Sequence, residues 1–129
     1  MRAAMPNFPC EFEIPDEWWV AAGMAGFAVS QPAYRSALGA RLVPLREIEP
    51  PHLDLAKPRD WCGFDRARML RVLSGLREGA EMRPVPLLEL DRDAVPSSRS
   101  YAYRPLDGYH RFYASIAAGF QFLPASVIR

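Results

Sequence analysis

Five consecutive residues near the end of the chain, Asp107-Gly108-Tyr109-His110-Arg111, bring together the groups that hold an anion. Gly108 permits a sharp turn and a close backbone approach to a ligand. His110 and Arg111 place an imidazole and a guanidinium fork where a helix begins. In the run that follows, Tyr113, Ile116 and Ala117 recur at three- and four-residue spacing. The amino end of a helix carries partial positive charge and favours acidic side chains, so two basic residues there oppose the local preference. A phosphate at the helix start turns that mismatch into an attraction, because backbone N–H groups, imidazole and guanidinium converge on it. The alternative is that Arg111 pairs with Asp107 or another carboxylate and His110 is a satisfied structural histidine.

Positioning this turn requires a strand before it and a well-bounded helix after it. Tyr101 to Leu106 alternates aromatic with small or polar residues, which predicts a strand. Asp107 is the expected N-cap, and Gly119 suits the position just past the helix end. Phe122 to Ile128 predicts a closing strand. Upstream, Arg41 to Arg46 reads as a strand in which Pro44 implies an edge, and Arg83 to Leu90 as another. Between them Phe64 to Arg77 is amphipathic, with Met69, Val72, Leu73 and Leu76 as the apolar stripe and Arg66, Arg68, Arg71 and Arg77 around it. That basic face is either solvated or a contributor to the anion site. Residues 52–63 and 91–100 are expected loops. Two carboxylates, Glu47 and Glu49, precede Pro50-Pro51 and are either solvated acids or candidates for a general base.

The first forty residues read as an N-terminal helical extension. Residues 1–12 are expected to be irregular, and Asp16-Glu17 to open a short helix. Trp18 and Trp19 lie roughly 100° apart on such a helix, so one can pack on the body while the other serves a partner. Packing of both is the alternative.

The chain of 129 residues is half apolar and 24% charged, a globular composition with room for one core. A net charge of +1 provides no global field for nucleic acid. Of the 16 basic residues only Lys57 is a lysine, and arginine binds phosphate bidentately. Cys10 and Cys62 are too few for a disulfide framework or a cysteine-rich zinc site, and no metal ligands are assigned. Without a signal-peptide core or a spanning apolar run, the expected location is cytoplasmic, with no membrane partner.

From Arg41 to Ile128 the chain resembles the ParB/sulfiredoxin superfamily. The resemblance rests on Leu42 to Ile48 as an opening strand ending in Glu-Ile, on Leu73 to Pro84 as a helix, glycine turn and proline-led strand, and above all on the Asp-Gly-x-His-Arg turn of Asp107 to Arg111. It implies an α+β fold, a small mixed sheet packed with helices, over residues 41–129. It also implies nucleotide phosphate binding at Asp107, Gly108, Tyr109, His110 and Arg111, with ATP or another nucleotide and Mg2+ as cofactors.

Sulfiredoxins place a cysteine between the glycine and the His-Arg pair, where this chain has Tyr109, a poor nucleophile at neutral pH. Partition proteins of the superfamily use CTP and a helix-turn-helix domain, for which the 129 residues leave no room. A free serine kinase of the superfamily carries Asp-Gly-His-His-Arg and an early catalytic glutamate, for which Glu47 or Glu49 stands here by analogy. The expectation is therefore a nucleotide- or phosphate-binding protein, in its fullest form a small phosphotransferase or NTPase. The alternative is a protein-interaction module that keeps the fold without its chemistry, partnering another chain or a second copy through Trp18 and Trp19. DNA binding or nuclease action ranks last.

Overall fold

A computed structural model describes residues 1–7, 10–51, 63–90 and 101–128. Its main sheet has the order β3-β6-β4-β5, formed by β3 (Arg41–Pro44), β4 (Val85–Glu89), β5 (Tyr103–Pro105) and β6 (Phe122–Ile128). β6 pairs antiparallel with β3, opposing Val43 to Leu123, and parallel with β4, opposing Val85 to Ala125; β5 runs antiparallel to β4. The sheet is therefore mixed, and the expected α+β architecture is what the chain adopts. Pro44 sits on the edge strand β3, where its missing N–H costs no ladder bond.

Alternation along these strands buries Val43, Val85, Leu87, Leu123 and Ala125, which join the core shared with the helices. α2 (Arg66–Glu78) buries Met69, Leu73 and Leu76 of the expected stripe, leaves Val72 half-buried, and leaves Arg66, Arg68, Arg71 and Arg77 exposed. α3 (Tyr109–Ala118) is the central helix: it packs on α2 and β6, and none of its residues is fully exposed. It ends at Gly119 in the left-handed region, as its sequence requires.

The amino-terminal region differs from the helical extension expected. Residues 1–12 are not irregular throughout: β1 (Arg2–Ala4) and β2 (Glu11–Glu13) form an antiparallel ribbon that opposes Ala3 to Phe12. Strands this short carry little propensity signal, and what fixes them is tertiary burial of Met5, Phe12 and Ile14. α1 (Asp16–Ala21) has Pro15 at its N-cap with no side-chain cap bond, so Asp16 is the first helical residue rather than the cap. Trp18 and Trp19 are both half-buried against the core, and Val20 is the large apolar residue that α1 exposes, at 63%. Residues 26–39 form no regular element beyond a bridge from Ser36 to Met82. Met5, Phe12, Ile14, Met24 and Tyr34 belong to the same core as the sheet and helices. The predicted loops at 52–62 and 91–100, with Trp61 and Cys62, lie outside the described residues.

Candidate functional site

β5 delivers the chain through Leu106 and Asp107 into α3, and the turn is made by Gly108 at φ 82° and ψ 28°. A Cβ at Gly108 would lie 2.8 Å from both Cγ atoms of the fully buried Val85, so glycine is demanded twice, by backbone conformation and by contact with β4. Gly108, not Asp107, occupies the N-cap position, and no side chain caps this helix. Asp107 is exposed, one residue too early to reach the first-turn N–H groups. The cap expected of it is thus absent, and the first turn of α3 contains no acidic residue.

The next three side chains turn toward the protein. Tyr109 donates its hydroxyl to the carbonyl of Gly63 at 2.6 Å. His110 Nε2 accepts the backbone N–H of Asp65 at 2.9 Å. An imidazole that accepts at Nε2 carries its proton on Nδ1, so this is the neutral form. Burial holds the His110 pKa below its usual value of 6.5; the Asp65 carboxylate opposes that shift and the Arg68 guanidinium reinforces it. Asp65 itself caps α2, its carboxylate accepting from Arg68 N–H at 2.9 Å. The imidazole therefore joins the amino ends of α2 and α3, and Arg68 lies within electrostatic reach of it.

Arg111 donates to the carbonyl of Arg83, just before β4. Its guanidinium faces the hydroxyl of Tyr34, which is 6% exposed and has no partner in hydrogen-bond geometry. Burial pushes the Tyr34 pKa up to about 12 even though the neighbouring cation favours the phenolate. The pairing of Arg111 with Asp107 weighed in the sequence does not form; a backbone carbonyl takes that place.

An aromatic cluster fixes these groups. Phe64, fully buried, meets Tyr109, His110 and Tyr113 at ring-centroid distances of 5.6, 5.9 and 5.3 Å, and Phe12 of β2 stacks edge-on to Tyr113 at 4.9 Å. Tyr113 donates its hydroxyl to Pro51, and its burial, reinforced by Tyr109 and Cys10, raises its pKa well above the phenol range. Pro51 on one side and Gly63 with Asp65 on the other are thus both held by α3.

The two glutamates are engaged with β5 and the residue before it. Glu49 forms an ion pair with Arg104 of β5 at 2.8 Å, and its N–H bonds Tyr103. Glu47 is half-buried on the 3-10 turn Leu45–Glu47, and its carbonyl accepts from Ala102. Among the described residues no group of His, Cys, Asp and Glu could hold a metal ion. A groove of about 340 Å³, lined by Phe27, Tyr34, Arg35, Gly75, Arg77 and Phe120, sits at the carboxyl ends of α2 and α3 and shares no residue with the turn. No helix among the described residues is long and apolar enough to cross a membrane.

Asp65, Phe64 and Tyr34 are the residues that sequence reading missed. Asp65 had a signal, as an N-cap type directly before an amphipathic run; Tyr34 had none, because its place beside Arg111 depends on a contact across 77 positions of chain.

No protein-family model matches the chain, and no curated protein matches it. Its structure is similar to that of sulfiredoxin from Arabidopsis thaliana, with a TM-score of 0.48 and 19% identity over 69% of this chain and 83% of that one.

Proposed function

We propose that this chain is a nucleotide- or phosphate-binding protein of the ParB/sulfiredoxin type, with a phosphate held at the paired amino ends of α2 and α3. One observation carries the reading: the His110–Asp65 bond brings two helix amino ends together within electrostatic reach of Arg68, and the first turn of α3 carries Arg111 and no acidic residue. Two helix dipoles and the Arg68 guanidinium supply the field an anion requires, Arg111 joins them on leaving the Arg83 carbonyl, and the Nδ1–H of neutral His110 supplies a donor. Tyr109 contributes position through Gly63 and supplies no nucleophile.

An enzymatic reading adds Mg2+, ATP or another nucleotide, and a carboxylate base. Glu49 enters it only after parting from Arg104, and Glu47 is the other candidate. A protein-interaction module is the second reading, favoured by Val20 standing exposed beside the half-buried Trp18 and Trp19.

Calorimetric titration with ATP, ADP and CTP, with and without Mg2+, tests the binding reading. Arg68→Ala and Arg111→Ala are each expected to weaken binding at least about tenfold, the worth of one charged hydrogen bond. Unchanged affinity in both folded variants removes the site. No affinity for any of the three nucleotides transfers the weight to the interaction module.

A further inference from the structure

The His110–Asp65 contact joins a titratable acceptor to a backbone donor that cannot titrate. We propose that this bond is a proton-operated clasp: protonation of His110 at Nε2 breaks it and turns both former partners into donors for one anion, while the Tyr109–Gly63 bond and the Phe64 ring keep α2 docked on α3. The inference rests on the phosphate-binding reading for its anion and on geometry alone for the clasp.

The balance of the step is simple. One proton from solvent adds to the Nε2 lone pair, which until then accepts the Asp65 N–H at 2.9 Å. The imidazolium carries N–H at both positions, so two donors face each other and neither can accept from the other. The bond is lost, and the freed Asp65 N–H and the Nε2–H point into the same space at the helix ends. An oxyanion with several lone pairs satisfies both at once and gains from the new positive charge.

The surroundings set the direction of the response. On α2, the Asp65 carboxylate favours the imidazolium and the Arg68 guanidinium opposes it; on α3, Tyr109 packs against the ring, while the Arg111 guanidinium turns to the Arg83 carbonyl and Tyr34. Phe64 covers the remaining side with an apolar ring at 5.9 Å. Burial among these groups keeps His110 neutral until the solution falls below pH 6.5. An anion that prefers the imidazolium must by linkage raise the His110 pKa, and anion binding then takes up a proton.

The test follows His110 and the Asp65 amide together by NMR on the full chain from pH 8 to 5, with His52 as internal reference. In the free protein both signals are expected to move with one midpoint below 6.5. His110→Gln offers a carbonyl acceptor that does not titrate, and is expected to leave the Asp65 amide still. An Asp65 amide that stays put while His110 titrates, or that moves equally in the glutamine variant, overturns the clasp. Sulfate, which does not titrate in this range, then probes the anion. Its affinity is expected to rise by up to tenfold per pH unit as pH falls toward the midpoint, to level off below it, and to be flat in His110→Gln. Equal sulfate affinity at all pH values in the unaltered protein overturns the proton coupling. Co-titration of His110 and Asp65 without any sulfate binding overturns the phosphate reading and upholds the clasp.

Discussion

Replacing Gly108 with alanine tests whether the turn is built as described, because two separate costs meet at that residue. Its φ of 82° lies in the left-handed region, where an L side chain costs about 1–2 kcal/mol. The added Cβ would also stand 2.8 Å from both Cγ atoms of Val85. Val85 is fully buried and paired with Ala125 in the central part of the sheet, so it has no room to retreat. Overpacking of such a site costs about 1–3 kcal/mol, and the sum is about 2–5 kcal/mol. Gly79, at the carboxyl end of α2, provides the control: its φ is 68°, yet nothing lies within 4 Å of an added Cβ. Gly79→Ala should therefore lose only the backbone cost. Urea unfolding followed by circular dichroism should give equal slopes and a lower midpoint for both variants, the larger fall at Gly108. Adding Val85→Ala to Gly108→Ala should recover part of the contact cost, a coupling of about 1 kcal/mol or more. If Gly108→Ala is no more costly than Gly79→Ala, the close approach of α3 to β4 is wrong.

Other consequences are as direct. Phe64→Ala should cost about 3–5 kcal/mol in the same assay, because the ring is fully buried among Phe12, Tyr109, His110 and Tyr113. Asp65→Ala removes the α2 cap and should cost about 1 kcal/mol, whereas Asp107→Ala, at an exposed residue that does not occupy the cap position, should cost almost nothing. The His110 pKa is depressed by folding, so its contribution to stability is complete above pH 6.5 and is lost as pH falls through the folded value; unfolding midpoints measured at pH 7.5 and 5 should show that loss, and His110→Gln should reduce it. Tyr34, raised to about 12, acts in the opposite sense: its stabilisation is complete below pH 10 and is lost as pH rises through 12, so ultraviolet titration of the folded protein at pH 11 should leave it protonated.

How much of this was legible follows from which contacts are local. The sequence marks the cap of α3 one residue early, at Asp107 instead of Gly108, and the spacing of Tyr113, Ile116 and Ala117 marks only part of a helix that also buries Phe112, Ala114 and Ser115 and leaves Ile116 half-buried. The end of α3 is written in its own residues, since a left-handed turn calls for Gly119. The same holds for α2, whose stripe of Met69, Leu73 and Leu76 is read at helical period, and for Pro44 on an edge. The ribbon of β1 and β2 was not legible, because three-residue strands owe their form to Phe12 packing on Phe64 and Tyr113.

The motif shows the division most clearly. Sequence alone determined that a glycine turn would carry an imidazole and a guanidinium to the head of a helix. Only the tertiary structure decided what those groups hold: His110 accepts from Asp65, 45 residues away, Tyr109 bonds Gly63, and Arg111 meets the Arg83 carbonyl and Tyr34. The physical reason is that a buried polar side chain takes whichever donor or acceptor packing brings within reach, and packing is set by elements far apart in the chain.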